Sequence, residues 1–132
     1  MRRDMDLIRE LLLRLEALPI NPGGTVSFDV SDPEIAVEGF SEDEVYNHLS
    51  MIYDAGFATS GMKDRGSLSG SWYFRSLTWN GRDFLDAVRE PKVWAETKTR
   101  ADKVGGWTVG ILTDLAKGYL KAKAAEHGFP MG

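Results

Sequence analysis

Glu44 and His48 stand four residues apart, on one face of whatever helix carries them. A carboxylate and an imidazole at that spacing can begin a metal site. No third ligand follows nearby, and the other histidine, His127, lies near the end of the chain. Zinc needs three or four protein ligands, so a histidine satisfied by the fold or exposed to solvent is the better reading. The run Gly66-Ser67-Leu68-Ser69-Gly70 has the glycine spacing of a nucleophile elbow, but leucine occupies the serine position. Carboxylate pairs are plentiful but fall mostly on helix surfaces, so general acid–base work is not indicated. There is no Walker loop and no dinucleotide fingerprint. Pro22-Gly23-Gly24 and Gly105-Gly106 read as turns rather than phosphate cradles. With no cysteine, thiol catalysis, disulfides and cysteine-ligated metals are excluded. The expectation is a protein without catalytic residues, metal or cofactor.

Charge separates into blocks. The 132-residue chain has 16 basic and 20 acidic residues and a net charge of −4, a mild argument against indiscriminate polyanion binding. Residues 19–60 hold eight carboxylates, Asp29, Asp32, Glu34, Glu38, Glu42, Asp43, Glu44 and Asp54, and no lysine or arginine. Residues 61–82 reverse this, with Lys63, Arg65, Arg75 and Arg82 against Asp64. Lys63, Arg65 and Arg75 flank Trp72, Tyr73 and Phe74. A basic hairpin with aromatics can contact phosphates or a minor groove. Simple alternation gives a second reading, in which Trp72 and Phe74 face the core and the charges keep an exposed hairpin soluble.

The elements that must position these residues follow from periodicity. Met5, Ile8, Leu12 and Leu15 recur at helical spacing, which predicts a helix over 3–18 that Pro19 and Pro22 stop. Residues 25–30 alternate as a short strand, and Ile35-Ala36-Val37 reads as a second that could pair with it. Ser41-Glu42-Asp43-Glu44 is a capping box, and the helix it opens ends at Asp54-Ala55-Gly56. Phe57-Ala58-Thr59 and the run Trp72–Leu77 make a hairpin around a long Gly/Ser-rich tip at 60–71. Thr78 caps a helix over 79–90 with Phe84, Leu85 and Val88 inward. Pro91 opens another to Lys103, and Thr108 caps a last one to Glu126, with Ile111, Leu112, Leu115, Tyr119 and Leu120 as its stripe. Trp79 and Trp94 are expected in the core, and Trp107 as a staple onto the last helix.

A helix running straight into a two-stranded hairpin is the order of a winged-helix domain, with the helix as recognition helix and the hairpin as wing. The fold class expected is α+β, mainly helical: a winged-helix-like core over 1–90 with a β-hairpin wing, and extra C-terminal helices over 91–132 packed on the same domain. A standard winged helix has three helices before the wing, and here residues 25–37 stand where the middle one would be. No stretch approaches the ~18 apolar residues of a membrane span, and no leader is visible, so a cytoplasmic protein is expected.

Three stretches together resemble one family: Arg3-Asp4-Met5-Asp6-Leu7-Ile8-Arg9; Tyr46-Asn47-His48-Leu49 with Asp54-Ala55-Gly56-Phe57; and Leu77-Thr78-Trp79-Asn80-Gly81-Arg82-Asp83-Phe84-Leu85-Asp86. It is family 2513 of the domain-of-unknown-function series, and the resemblance runs from Arg3 to about Leu120. It implies a winged-helix-like fold and a phage, prophage or bacterial setting. The family has no established activity, so no catalytic residue is carried over. Arg82 departs from the histidine expected there, so any chemistry of that histidine is absent from this chain. More loosely, the chain is similar to winged-helix transcription regulators.

Two functions compete. An acidic recognition helix, its first turn reading Glu42-Asp43-Glu44, is repelled by a phosphate-lined groove and has no arginine or lysine to read guanine. That favours a protein partner held through Glu38, Glu42, Asp43, Glu44 and Asp54, in a regulatory or counter-defence role. The alternative is duplex DNA held through the wing by Lys63, Arg65, Arg75 and Arg82. A homodimer through the terminal helices is compatible with either.

Overall fold

A computed structural model describes residues 1–61 and 71–128. The expected loop tip, with its candidates Lys63 and Arg65, lies outside the described residues. Among those described there are five helices and two small antiparallel sheets, an α+β and mainly helical fold. The order is α1 (Met5–Glu16), β1 (Val26–Phe28), α2 (Glu42–Asp54), β2 (Ala58–Thr59), β3 (Trp72–Phe74), β4 (Ser76–Leu77), α3 (Trp79–Val88), α4 (Pro91–Val104) and α5 (Val109–Glu126). The chain forms two compact units, Met1–Arg82 and Asp83–Gly132. The division falls inside α3.

In the first unit α1 starts at Asp4, whose side chain accepts from the Leu7 N–H. Its Met5, Leu7, Ile8, Leu11, Leu12 and Leu15 are buried, each contributing about 1.5–3 kcal/mol of apolar burial. Helix α1 packs on α2 and on β4. Helix α2 turns Val45, Leu49, Ile52 and Tyr53 inward and ends at Gly56, whose φ of +74° is the left-handed conformation glycine supplies without strain.

Two expectations about strands are corrected. Residues 35–37 form no strand. The Ile35 and Ala36 N–H groups both donate to the Asp32 carbonyl, which closes a turn. Asp32-Pro33 favours that turn, and it drops Ile35 into the core, fully buried. Strand β1 therefore pairs not with this segment but with β3, in the register Val26↔Phe74, Ser27↔Tyr73 and Phe28↔Trp72. The run Trp72–Leu77 is also divided. Its second part, β4, pairs with β2 through Ala58↔Leu77 and Thr59↔Ser76. Between the two parts the Arg75 N–H donates to the Thr59 carbonyl at 2.8 Å. One extended segment thus serves two neighbours, β1 along its first half and β2 along its second.

Thr78 ties the hairpin to the next helix. Its N–H donates to the Phe57 carbonyl, its hydroxyl donates to the Gly56 carbonyl, and the same oxygen accepts from the Gly81 N–H. Gly81 lies so close to Phe57 that a Cβ would sit 2.2 Å from that carbonyl oxygen.

In the second unit Phe84, Leu85 and Val88 are buried, as the spacing predicted. Pro91 opens α4, Gly105 closes it with a φ of +72°, and Thr108 caps α5 by accepting from the Ile111 N–H. Helices α4 and α5 pack together, with Trp94, Thr97 and Ala101 of α4 and Leu112 and Ala116 of α5 buried. The predicted α5 stripe is only partly inward: Ile111 and Leu120 are exposed. Tyr119 instead stacks against cations, with the Arg100 guanidinium 5.2 Å and the Lys123 ammonium 5.6 Å from its ring. Glu126 beside Lys123 holds that ammonium's pKa above the ordinary lysine value, with Tyr119 adding to it. Trp107 donates its indole N–H to Asp102 Oδ1 at 3.2 Å.

Candidate interaction surface

The acidic residues divide by what the fold asks of them. Glu44 is spent on the cap: its Oε1 accepts from the Ser41 N–H at 3.0 Å, while Ser41 Oγ accepts from the Glu44 N–H at 3.1 Å. Glu38, Glu42, Asp43 and Asp54 are exposed. They do not form a single cluster. Asp54 lies in the last turn of the 13-residue helix, about 18 Å along the axis from Glu42. What they share is a face. Asp43, Asn47, Ser50 and Asp54 follow one another at helical spacing, opposite the buried Val45, Leu49 and Ile52. Helix α2 contains no lysine or arginine. Acids in its first turn suit the positive end of the helix dipole, but Asp54 stands at the negative end, where an acid is unfavourable.

His48 belongs to the interior. It is 1% exposed. Its Nδ1 is 2.8 Å from the Glu44 carbonyl, and its Nε2 is 2.8 Å from the Asp4 N–H, from which it accepts. Both ring nitrogens are engaged, so neither is open to a metal. Among the described residues no group of three His, Cys, Asp or Glu gathers as metal ligands would.

The aromatics at the base of the hairpin are core. Trp72 and Phe74 are buried, and the Trp72 ring lies 5.0 Å from Tyr46 in a T-shaped contact and 5.2 Å from Tyr53. The Tyr53 hydroxyl donates to the Tyr73 carbonyl at 2.7 Å, and burial pushes its pKa well above the ordinary phenol value. Of the three aromatics that could have followed a groove, Tyr73 alone is partly exposed.

Trp79 corrects an expectation. It is 86% exposed rather than core. It follows Thr78, whose bonds to Gly56 and Phe57 fix the start of α3 beside the end of α2. A large exposed aromatic thus sits near the Asp54 end of the acidic face, with Tyr46 on α2 itself 42% exposed.

Arg75 and Arg82, two of the DNA candidates, line one cleft of about 290 Å³ together with Glu16, Leu18, Ile20, Phe74, Ser76 and Leu77. The cleft lies beyond the C-terminal end of α1. Arg2 and Arg3 precede its N-terminal end, so the 12 residues of α1, about 18 Å, separate them from this pair.

No described helix is long and apolar enough to cross a membrane. No solved structure matches the chain. An uncharacterized protein of Haemophilus influenzae (strain Rd) is 34% identical over 100 residues, 75% of this chain and 77% of that protein. The family model described as "Hypothetical protein (DUF2513)" matches residues 2–107, covering the three sequence stretches quoted above and stopping before α5. The chain belongs to the DUF2513 family.

Proposed function

We propose that this protein is a non-enzymatic, winged-helix-like interaction module that binds a basic protein partner through the outer face of α2. The observation that carries the reading is the face Asp43-Asn47-Ser50-Asp54, acidic at both ends on a helix without a lysine or arginine. In a winged-helix arrangement this face would be the one turned to the major groove. There it would meet phosphates with carboxylates, and like charges in contact cost affinity. A lysine- or arginine-rich surface fits it instead. Trp79 supplies the exposed aromatic that commonly anchors such contacts. The winged-helix reading itself rests on topology: α1 packs on α2, α2 leads into the β2–β4 hairpin, and β1 pairs along the returning segment. A regulatory or counter-defence role of phage type suits a module of this kind.

Affinity capture from a bacterial lysate tests this, with the wild type and an Asp43→Lys/Asp54→Lys variant side by side. Both positions are exposed, and the dipole cost of lysine in the first turn is offset by its gain in the last. The reading expects a basic protein retained by the wild type and lost by the variant. Retention by both would contradict it. Duplex DNA binding is the second reading, favoured by one observation: Arg75 and Arg82 meet at the same cleft.

A further inference from the structure

We infer that the cleft between the end of α1, the β3–β4 segment and the first turn of α3 is a binding site for a small organic oxyanion on a short apolar body. Its volume of about 290 Å³ falls just below the usual range for drug-sized ligands, which suits a small one. Leu18, Ile20, Phe74 and Leu77 give it apolar walls, and Arg75, Ser76 and Arg82 give it polar groups. Both arginines are held by means that leave charge to spare. Arg82 donates Nε–H to the Leu77 carbonyl at 3.2 Å. This orients its plane, and its terminal nitrogens have no partner among the described residues. The Arg75 stem runs along Gly61, its Cδ 3.0 Å from where a Cβ on that glycine would stand, and its guanidinium likewise has no partner among the described residues. Two guanidiniums at one apolar-walled cleft suit a carboxylate or a phosphate, which a guanidinium binds in a fork. Glu16, the single acid among the described residues that line the rim, weakens that attraction without cancelling it. Helix α2 lines no part of this cleft, so the inference is independent of the partner proposed above.

The test is an NMR titration of the full ¹⁵N-labelled chain with hexanoate and with hexyl phosphate, and with hexanamide as the neutral control. Saturable shifts at the Ser76 and Leu77 amides are expected with at least one anion, at a Kd of about 1 mM or tighter. The tighter of the two names the headgroup. Hexanamide should bind about tenfold more weakly, as the loss of a charge-assisted hydrogen bond implies. Arg75→Gln and Arg82→Gln should each weaken the anion by a similar factor, and Glu16→Gln should strengthen it. Arg75→Gln leaves the Arg82–Leu77 bond in place, so it reports on charge even if Arg82→Gln disturbs the turn. Equal binding of hexanamide and hexanoate, affinity unchanged in both arginine variants, or no saturable shift with either anion would overturn the inference.

Discussion

The backbone N–H of Asp4 donates to Nε2 of His48 at 2.8 Å, joining residues 44 apart in sequence. Asp4 also caps α1 through its carboxylate, and the other nitrogen of His48 faces the Glu44 carbonyl. One buried ring therefore fixes the start of α1 against the second turn of α2. The partners assign its tautomer, with the proton on Nδ1 and the Nε2 lone pair accepting.

Removing that buried ring leaves the part-buried Asp4 N–H without its acceptor. His48→Ala should lower the unfolding free energy by roughly 1–3 kcal/mol in urea denaturation. Zinc should leave the Tm of the wild type unchanged, because both ring nitrogens are used. A zinc-dependent rise in Tm that His48→Ala abolishes would contradict the assignment.

Gly81 and Gly118 make a paired test of packing. A Cβ at Gly81 would meet the Phe57 carbonyl at 2.2 Å, while at Gly118 in α5 it would meet nothing within 4 Å. Gly81→Ala should destabilise by roughly 1–3 kcal/mol or more through overpacking. Gly118→Ala should stabilise by up to about 1 kcal/mol through helix propensity. Thermal melts of the two variants should shift in opposite directions.

Tyr53 gives stability a pH dependence. Burial raises its pKa in the folded protein above that of the unfolded chain. Its contribution is therefore complete below the unfolded value of about 10 and is lost as pH climbs from there towards the folded value. Tyr53→Phe should cost about 1 kcal/mol at neutral pH for the lost bond to Tyr73. It should also flatten the decline in stability above pH ~10 relative to the wild type. An alkaline decline equally steep in both proteins would reject the assignment.

The sequence was most legible where one short-range rule decides. The Ser41 capping box, the Gly56 and Gly105 helix ends and the inward Phe84, Leu85 and Val88 are local geometry, and the structure agrees with each. Strand pairing was not legible in the same way. Val26–Phe28 and Ile35–Val37 are both short and β-prone, and the choice of β3 as partner depends on residues more than 40 positions away. Trp79 could have been placed correctly. It precedes Val88 by nine residues, which at 3.6 per turn puts it on the opposite side of the helix from the core face. Its apolar character and neighbours point to the core, but the helical phase places it outside. Of the candidate surface residues, the outward placement of Asp43 and Asp54 followed from helix spacing. The meeting of Arg75 and Arg82 at one cleft did not, because it depends on the return of the chain through the hairpin.

Trp79 and Trp94 separate a surface role from a core role. Trp79→Ala should change stability by no more than about 0.5 kcal/mol, whereas Trp94→Ala should cost about 3–5 kcal/mol. Urea denaturation distinguishes them. If Trp79 anchors the partner, the folded Trp79→Ala protein should also retain less of it in affinity capture.

The central claim is that α2 presents its acidic face to a protein and not to a phosphate backbone. Its most direct test is a fluorescence-anisotropy titration of random-sequence duplex DNA at two salt concentrations, with the wild type and an Arg75→Ala/Arg82→Ala variant. The account predicts little binding by either protein at moderate salt. Tight binding by the wild type that falls steeply with salt and disappears in the variant would contradict it, and would make the two cleft arginines the principal contact.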